Sequence, residues 1–421
     1  MYSVGVVSLG CSKNRVDTEL MLGILRKAGY RITADEREAD ILIVNTCGFI
    51  DRPSRRASIR CCPWQGINRK GSSSCWRPPA ALRSAMNRRF AGYAGGGSGA
   101  GREPVPHAAP RDRGGAGGQA AQLLRAGVNR AVRRAVLTTA PYTAYVRIAD
   151  GCDNRCAYCA IPLIRGGFRS RDMQSVLEEI RALAERGVKE HVLVAQDTSR
   201  LGMDTHGRSC CRTDGPRGGY PRRGMAARAL LLSREVDDTL LEAMASRPNI
   251  CRYLDLPLQH ADPQLLRRMN RRGDIEQTRA FLKKARGMGF TLRTTFITGF
   301  PGETEEDFTE LAEFVKDVRF ERMGCFAYSQ EEDTPAALLP DQIDEDVKER
   351  RAEILMDDQM AIMEAQGEEL LGQTLEVLVE GFDRYAECWF GRSWRDAPDI
   401  DGKVFFTVPE GRRPRLGSFV K

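Results

Sequence analysis

At 421 residues the chain exceeds what one hydrophobic core supports, since single cores stop growing near about 250–300 residues, so two or three domains are expected and a single small binding module is excluded. Thirteen cysteines, an odd number in a long chain with no basic n-region or apolar stretch at its start, point to metal or redox chemistry rather than a secreted disulfide framework. No apolar run approaches the roughly 20 residues that cross a bilayer, so a cytoplasmic protein without membrane spans is expected.

From the N-terminus, Val4-Gly-Val-Val-Ser-Leu9 reads as a short strand, 16–28 carries helical spacing through Leu20, Met21, Ile24 and Leu25, and Ile41-Leu-Ile-Val44 reads as a strand buried on both faces. This is a Rossmann-like βαβ opening of an α/β protein, and Cys11 and Cys47 fall just beyond the strands' carboxyl ends, where such folds gather their ligands. The pattern then stops. Residues 52–134 are rich in Arg, Gly, Ala and Pro, contain one lysine (Lys70), show little apolar periodicity before Leu123, and hold 17 basic residues against two acidic ones, Glu103 and Asp112. That one segment accounts for the net charge of +7; the rest of the chain is net acidic. Residues 204–233, with Cys210-Cys211 and Arg222-Arg223, share the style. Arginine without lysine, beside Ser, Pro, Gly and Cys, is what GC-rich codons yield in a shifted frame, so both segments read as frameshifted; a disordered basic linker is the other reading.

From 141 to 366 strands and helices alternate again. Strands are expected at Tyr145-Val-Arg-Ile148, His191-Val-Leu-Val-Ala195, Tyr253-Leu-Asp-Leu256, 291–297 and Gly324-Cys-Phe-Ala-Tyr328, with amphipathic helices such as 173–186 and 278–288 between them. This is a whole or partial βα barrel, with its chemistry at the carboxyl ends of the strands. From Gly372 onward, Leu375-Glu-Val-Leu-Val379, Glu387-Cys-Trp-Phe390 and Lys403-Val-Phe-Phe406 read as a small β domain that stops at Lys421 while Ser418-Phe-Val420 is still forming a strand. The expected domains are 1–135, 136–368 and 369–421.

The strongest chemical signal is Cys152-Asp-Asn-Arg-Cys156-Ala-Tyr-Cys159, directly after a strand. Three thiolates in one short loop suit three irons of a [4Fe-4S] cluster and leave the fourth open. Zinc is the rival, but no His or further Cys lies close in sequence as its fourth ligand. The Gly299-Phe-Pro-Gly302-Glu303 turn permits close backbone approach, or is an ordinary strand-to-helix turn capped by Thr304. Gln196 and Asp197 are polar residues at a strand end, or a helix cap. Cys11 and Cys47 alone read as buried structural cysteines.

The triple-cysteine spacing, with an aromatic residue before the last cysteine, resembles the radical S-adenosylmethionine (SAM) superfamily. That resemblance implies that SAM chelates the open iron and is split by one electron to methionine and a 5′-deoxyadenosyl radical. It also implies that Tyr158 lies against the adenine, that Gly299, Gly302 and Glu303 approach SAM, and that Gln196 meets its polar end. Arg165, Arg169 and Arg171 are candidates for a carboxylate, or a solvated basic patch. Together with Ser8-Leu-Gly-Cys11-Ser-Lys-Asn-Arg-Val-Asp17 and Asn45-Thr-Cys47-Gly-Phe-Ile50, the loop resembles the methylthiotransferases, whose N-terminal domain carries a second [4Fe-4S] cluster on three cysteines. Ala160-Ile-Pro-Leu-Ile-Arg-Gly-Gly-Phe-Arg-Ser-Arg171 and Tyr253-Leu-Asp-Leu-Pro-Leu-Gln-His260 are similar to the RimO type, over roughly 1–51, 136–203 and 234–421.

The resemblance implies sulfur insertion and methylation at the β-carbon of an aspartate in small-subunit ribosomal protein twelve, with two SAM molecules and a flavodoxin or ferredoxin as electron donor. It further implies a TRAM-like C-terminal domain, a monomer, and no nucleic-acid substrate. The third N-terminal ligand should fall near residue 80, inside the anomalous segment; neither Cys61-Cys62 nor Cys75 has matching neighbours, and Cys75 is the candidate that remains. Open alternatives are a tRNA methylthiotransferase, a non-catalytic RNA-binding protein that uses the arginine-rich stretch, and an inactive copy holding one cluster.

Overall fold

The computed structural model describes residues 2–46, 74–76, 136–207, 209, 225–230, 238–271 and 273–421, with the backbone alone at 46, 74–76 and 225–230. They fall into two units: Met1–Thr138 with Cys159–Gly167 and Glu331–Asp333, and Thr139–Tyr158 with Phe168–Gln330 and Thr334–Lys421.

In the first unit, β1 (Ser3–Leu9), β2 (Arg31–Ile32), β3 (Ile41–Thr46) and β4 (Ser74–Trp76) form a parallel sheet in the order β2-β1-β3-β4, with α1 (Ser12–Lys27) between β1 and β2. Strand side chains alternate between faces. Ile41 and Ile43 therefore join Val4, Met21 and Leu25 on one side, while Leu42 and Val44 pack with Val7 on the other. This is the two-faced burial that the unbroken apolar run predicts. β4, inside the arginine-rich segment, was not expected, because three residues are too short to show a period; the rest of 52–134 lies outside the described residues. A short helix, α2 (Ile161–Arg165), also belongs to this unit.

In the second unit, β5 (Thr143–Arg147), β6 (Ala149–Asp150), β7 (Arg169–Ser170), β8 (Glu190–Val194), β9 (Met225–Leu230), β10 (Tyr253–Asp255), β11 (Thr291–Thr298) and β12 (Arg322–Ala327) are interleaved with seven helices. These are α3 (Met173–Glu185), α4 (Met203–His206), α5 (Asp238–Ala245), α6 (Pro263–Arg268), α7 (Ile275–Gly287), α8 (Glu305–Val318) and α9 (Glu345–Glu369). Six strands form one parallel sheet in chain order, β5-β8-β9-β10-β11-β12, so β5 and β12 are its two edges and the βα barrel is partial. Helix starts are chemically marked: Asp172 caps Ser175 N before α3, and Thr304 with Asp307 forms a capping box on α8. Phe296, Phe314 and Phe320 meet edge-on or tilted at 6.0–6.2 Å in a core that also buries Leu254, Leu292 and Leu311. Two elements were not legible. β9 lies within the second anomalous segment, and α9 buries Lys348, Arg351, Leu355 and Gln359, a stripe of helical spacing that is polar at three of four positions.

The tail forms an antiparallel sheet from β13 (Val377–Asp383), β14 (Cys388–Ser393), β15 (Val404–Phe406) and β16 (Phe419–Val420), in the order β15-β14-β13-β16. It is fastened to the amino ends of the barrel strands by buried ion pairs. Arg392 makes a bidentate pair with Glu190 at 3.0 and 2.7 Å and also meets Glu380 at 2.8 Å. Tyr253 Oη donates to Asp401 at 2.6 Å, and Arg322 donates to Asp396 at 2.6 Å. Glu190, Tyr253 and Arg322 are the first residues of β8, β10 and β12, so the carboxyl ends of the strands are left for other work. Among the described residues, no helix is long and apolar enough to cross a membrane.

Candidate functional site

β5 delivers the chain to buried Ile148, and the next two residues pair with β7, Ala149 opposite Ser170 and Asp150 opposite Arg169. The cysteine segment is thus a loop closed at its neck by a two-residue ladder, with Arg171 N donating to Ile148 O at 2.8 Å. Gly151 enters the loop at φ +74°, where a side chain is disfavoured, and Asp153 Oδ1 accepts from Phe168 N at 3.0 Å.

Cys152 is half-buried and Cys156 buried, and each sulfur faces a nitrogen donor. Asn154 Nδ2 lies 3.4 Å from Cys152 Sγ and 3.1 Å from Asp197 Oδ2, and Asp197 is held in turn by Ser199 Oγ at 2.5 Å. Arg271 Nη1 lies 3.8 Å from Cys156 Sγ. Burial pushes the Cys152 thiol up, while the Asn154 contacts pull it down. Cys159, half-buried, opens the stretch Cys159–Gly167 of the first unit. Among the described residues no three His, Cys, Asp or Glu form a single-ion group. The donor set of the loop, thiolate only, is nonetheless the one iron–sulfur clusters take.

Tyr158 packs with Ala157, Leu265, Met269, Phe300, Tyr328 and Ala336, so the sequence-expected aromatic and the glycine turn come together around Phe300. Gly299 (φ +69°) and Gly302 (φ +81°) both adopt left-handed conformations. A Cβ on Gly299 would stand 2.1 Å from Lys348 Cγ, and one on Gly302 2.0 Å from Arg268 Nη1. Thr304 caps the following helix, as the strand-to-helix reading of this turn expects.

The Glu303 side chain is engaged by its own turn. Its Oε2 accepts from Gly299 N at 2.8 Å and its Oε1 from Arg351 at 2.8 Å, so the carboxylate faces its own turn and holds it shut. Burial pushes it up to about 7 against the pull of Arg351. His260, fully buried, accepts from Asp262 N at 3.0 Å through Nδ1 and is pushed down to about 4 by burial; its Nε2 stands 3.7 Å from Glu303 Oε2.

Gln196 caps no helix, since α4 begins only at Met203. Its Oε1 is buried without a hydrogen-bond partner, an acceptor suited to an ammonium group. Asp197, by contrast, is satisfied by Asn154 and Ser199.

In the first unit Cys11 is exposed and precedes α1. Asn45 Nδ2 ties the end of β3 to that helix through Asn14 O at 3.0 Å and Thr18 Oγ1 at 2.9 Å. Cys47 lies outside the described residues. Cys75 is opposite Leu42 in the β3–β4 register, four residues before the end of β3 at Thr46, which is about 13 Å at 3.3 Å per residue. The backbone therefore places Cys75 well short of the carboxyl end where Cys11 stands.

The arginines past the loop are engaged with the protein. Arg165 donates to Asp17 at 2.9 Å and to Asn14 at 3.1 Å, and Arg171 to Glu179 at 2.5 Å and Arg147 O at 2.8 Å. Sequence reasoning missed Asn154, Asn270, Arg271, Lys348 and Arg351. Only Asn154, inside the cysteine motif, carried a local signal.

Three family models match the chain: the radical SAM superfamily over 146–315, the uncharacterized protein family UPF0004 over 3–69, and the TRAM domain over 371–421. Among curated proteins, the chain is 45% identical to "Ribosomal protein uS12 methylthiotransferase RimO" of Pelotomaculum thermopropionicum, over 96% of this chain and 92% of that one. Proteins of the same name from Desulforamulus reducens and Heliobacterium modesticaldum are 42% and 41% identical, over 100% and 99% of this chain and 96% and 91% of theirs. Among solved structures, the radical SAM methyltransferase TsrM of Kitasatospora setae superposes with a TM-score of 0.50 at 14% identity, covering 80% of this chain and 77% of that one, a likeness of fold.

Proposed function

Since the chain belongs to the family of radical SAM methylthiotransferases named RimO, we propose that its substrate is ribosomal protein uS12 and that it places a methylthio group on the β-carbon of an aspartate there. The enzyme class, the radical SAM fold with UPF0004 and TRAM domains, and the use of an iron–sulfur cluster and SAM follow from membership. When bound, the cluster and SAM supply a hydrogen-abstracting radical and a methyl donor.

The chain's own residues have separable tasks. Cys152, Cys156 and Cys159 would hold three irons of one [4Fe-4S] cluster. Gln196 Oε1 would accept from SAM's ammonium, Tyr158 and Phe300 would flank the adenine, and Gly299 and Gly302 would admit SAM to the backbone. Glu303 and Arg351 keep that turn in shape, and the buried Phe300–Tyr328 pair would help exclude water from the bound group. Cys11, Cys47 and a third ligand other than Cys75 would hold a second cluster that delivers sulfur. A flavodoxin or ferredoxin would supply electrons. A cytoplasmic monomer that takes protein rather than nucleic acid, with domains at 1–135, 136–368 and 369–421, fits this scheme.

The observation that carries the reading is the loop in which Cys152 and Cys156 each face a nitrogen donor, tied through Asn154 to Asp197 just past the carboxyl end of β8. Anaerobic iron and sulfide quantification on the chain and on Cys152→Ala tests it, followed by incubation with uS12, SAM and dithionite and mass analysis of uS12. About eight irons falling to about four supports two clusters, and about four falling to none supports one. No iron in either protein, or methylthio transfer to tRNA and not to uS12, overturns the reading.

A further inference from the structure

The segment after α6, Met269-Asn270-Arg271, grips the cysteine loop at three points. Met269 O accepts from Ala157 N at 2.8 Å, Asn270 Nδ2 donates to Arg155 O at 2.7 Å, and Arg271 Nη1 reaches Cys156 Sγ at 3.8 Å. Asn270 takes φ +54°, a left-handed conformation that Asn tolerates and that ends a helix sharply. Arg271 is fixed at both ends: its N donates to Leu266 O at 2.7 Å, and its Nη2 donates to Pro257 O. The two sulfurs thus receive different donors, a neutral amide at Cys152 and a permanent cation at Cys156.

We propose that Arg271 is a positioning residue that sets the reduction potential of the cluster Cys156 helps to hold; this rests on the reading of Cys156 as a ligand. Reduction adds one electron, from an external one-electron donor, and so one negative charge to the cluster. A guanidinium hydrogen-bonded to a ligand sulfur stabilises that added charge and raises the potential. The interaction is charge-assisted and sits in a half-buried place where screening by water is reduced. Arg271 therefore eases delivery of the electron on which SAM cleavage depends.

The test is the midpoint potential of the anaerobically reconstituted full chain, titrated with dithionite and mediators and read by electron paramagnetic resonance, with iron counted in every sample. Arg271→Gln is expected to move the reduction equilibrium about tenfold toward the oxidised form, about 59 mV for a one-electron couple. Arg271→Lys, which keeps the charge, should move it less than half as far, and Asn270→Ala, which loosens the loop but leaves the cation, less again. Arg271→His supplies an independent arm: its potential should become pH-dependent near the imidazole's ordinary range, about 6.5. A Gln variant with full iron and unchanged potential, equal shifts in Gln and Lys, or a pH-independent His variant would each overturn the assignment. If Arg271→Gln loses its iron, the His variant decides alone. Absence of iron from the unaltered chain would remove the ligand reading and this assignment together, whereas a loaded cluster indifferent to residue 271 removes only the latter.

Discussion

The two ends of the six-stranded sheet are built on opposite principles. At the amino ends every charge has a partner: Glu190 is met by Arg392 on both oxygens and by Thr143 Oγ1 at 2.9 Å, and Asp396 and Asp401 are similarly engaged. At the carboxyl ends the chain holds two left-handed glycines, a loop of cysteines outside any disulfide and an amide oxygen with no partner. At the first end the protein pairs its own charges, although Thr291 Oγ1 and Arg322 Nε, on the first residues of β11 and β12, are also buried without a partner; the second is shaped for something the protein must receive. Polar groups that are fully satisfied stabilise a fold, while those left open mark where it binds.

That contrast can be broken most severely at the carboxyl end. Cys156→Ala should lower iron content by about four per chain and abolish methylthio transfer, with the urea unfolding midpoint of the apo chain nearly unchanged. At the other end the effect should be on folding instead. Glu190→Ala leaves the buried guanidinium with Glu380 as its remaining carboxylate partner and should destabilise the chain by up to about 3 kcal/mol in urea unfolding, while Glu190→Met with Arg392→Met should recover most of that loss. Gly299→Ala places a side chain at φ +69° against Lys348 and should cost about 1–3 kcal/mol, read as weaker SAM binding. Lys348→Ala in the same chain should relieve the clash only in part, since the Cβ at 2.7 Å and the Cα at 3.1 Å remain, and should leave the backbone strain.

The smallest effect is a pH slope. Burial raises Glu303 from its usual 4.5 to about 7, so between those values the folded chain keeps a proton that the unfolded chain has released. The stability this group contributes is full below about 4.5 and is lost as pH rises through 7. Glu303→Gln should flatten the fall in melting temperature across that window, by at most about 1.4 kcal/mol per pH unit. An unchanged slope would mean that the turn does not feel this carboxyl.

Much of this architecture was legible because its signals are local. The run Ile41 to Val44 announces a strand buried on both faces, and the cysteine spacing announces its loop. α9 was hidden for a physical reason: Lys348, Arg351 and Gln359 are buried at helical spacing, but each side chain meets a polar or aromatic partner, the Tyr328 ring and Glu345 for Lys348, Glu303 for Arg351, and Phe320 O for Gln359. Hydrophobic periodicity cannot register a stripe whose partners are polar. Arg271 was hidden likewise, as one of four arginines in Arg267-Arg-Met-Asn-Arg-Arg272, where nothing local separates the one that reaches Cys156.

The pairing of Glu190 with Arg392 spans 202 residues of chain. At a synthesis rate of about 5–20 residues per second, Glu190 leaves the ribosome roughly ten to forty seconds before its partner exists. Within that interval β9 to β12 are themselves still being made, so Glu190 waits for the rest of its own sheet before it waits for Arg392. The clasp therefore closes only after every strand it underlies has been translated, which makes it one of the last ties of this unit to form.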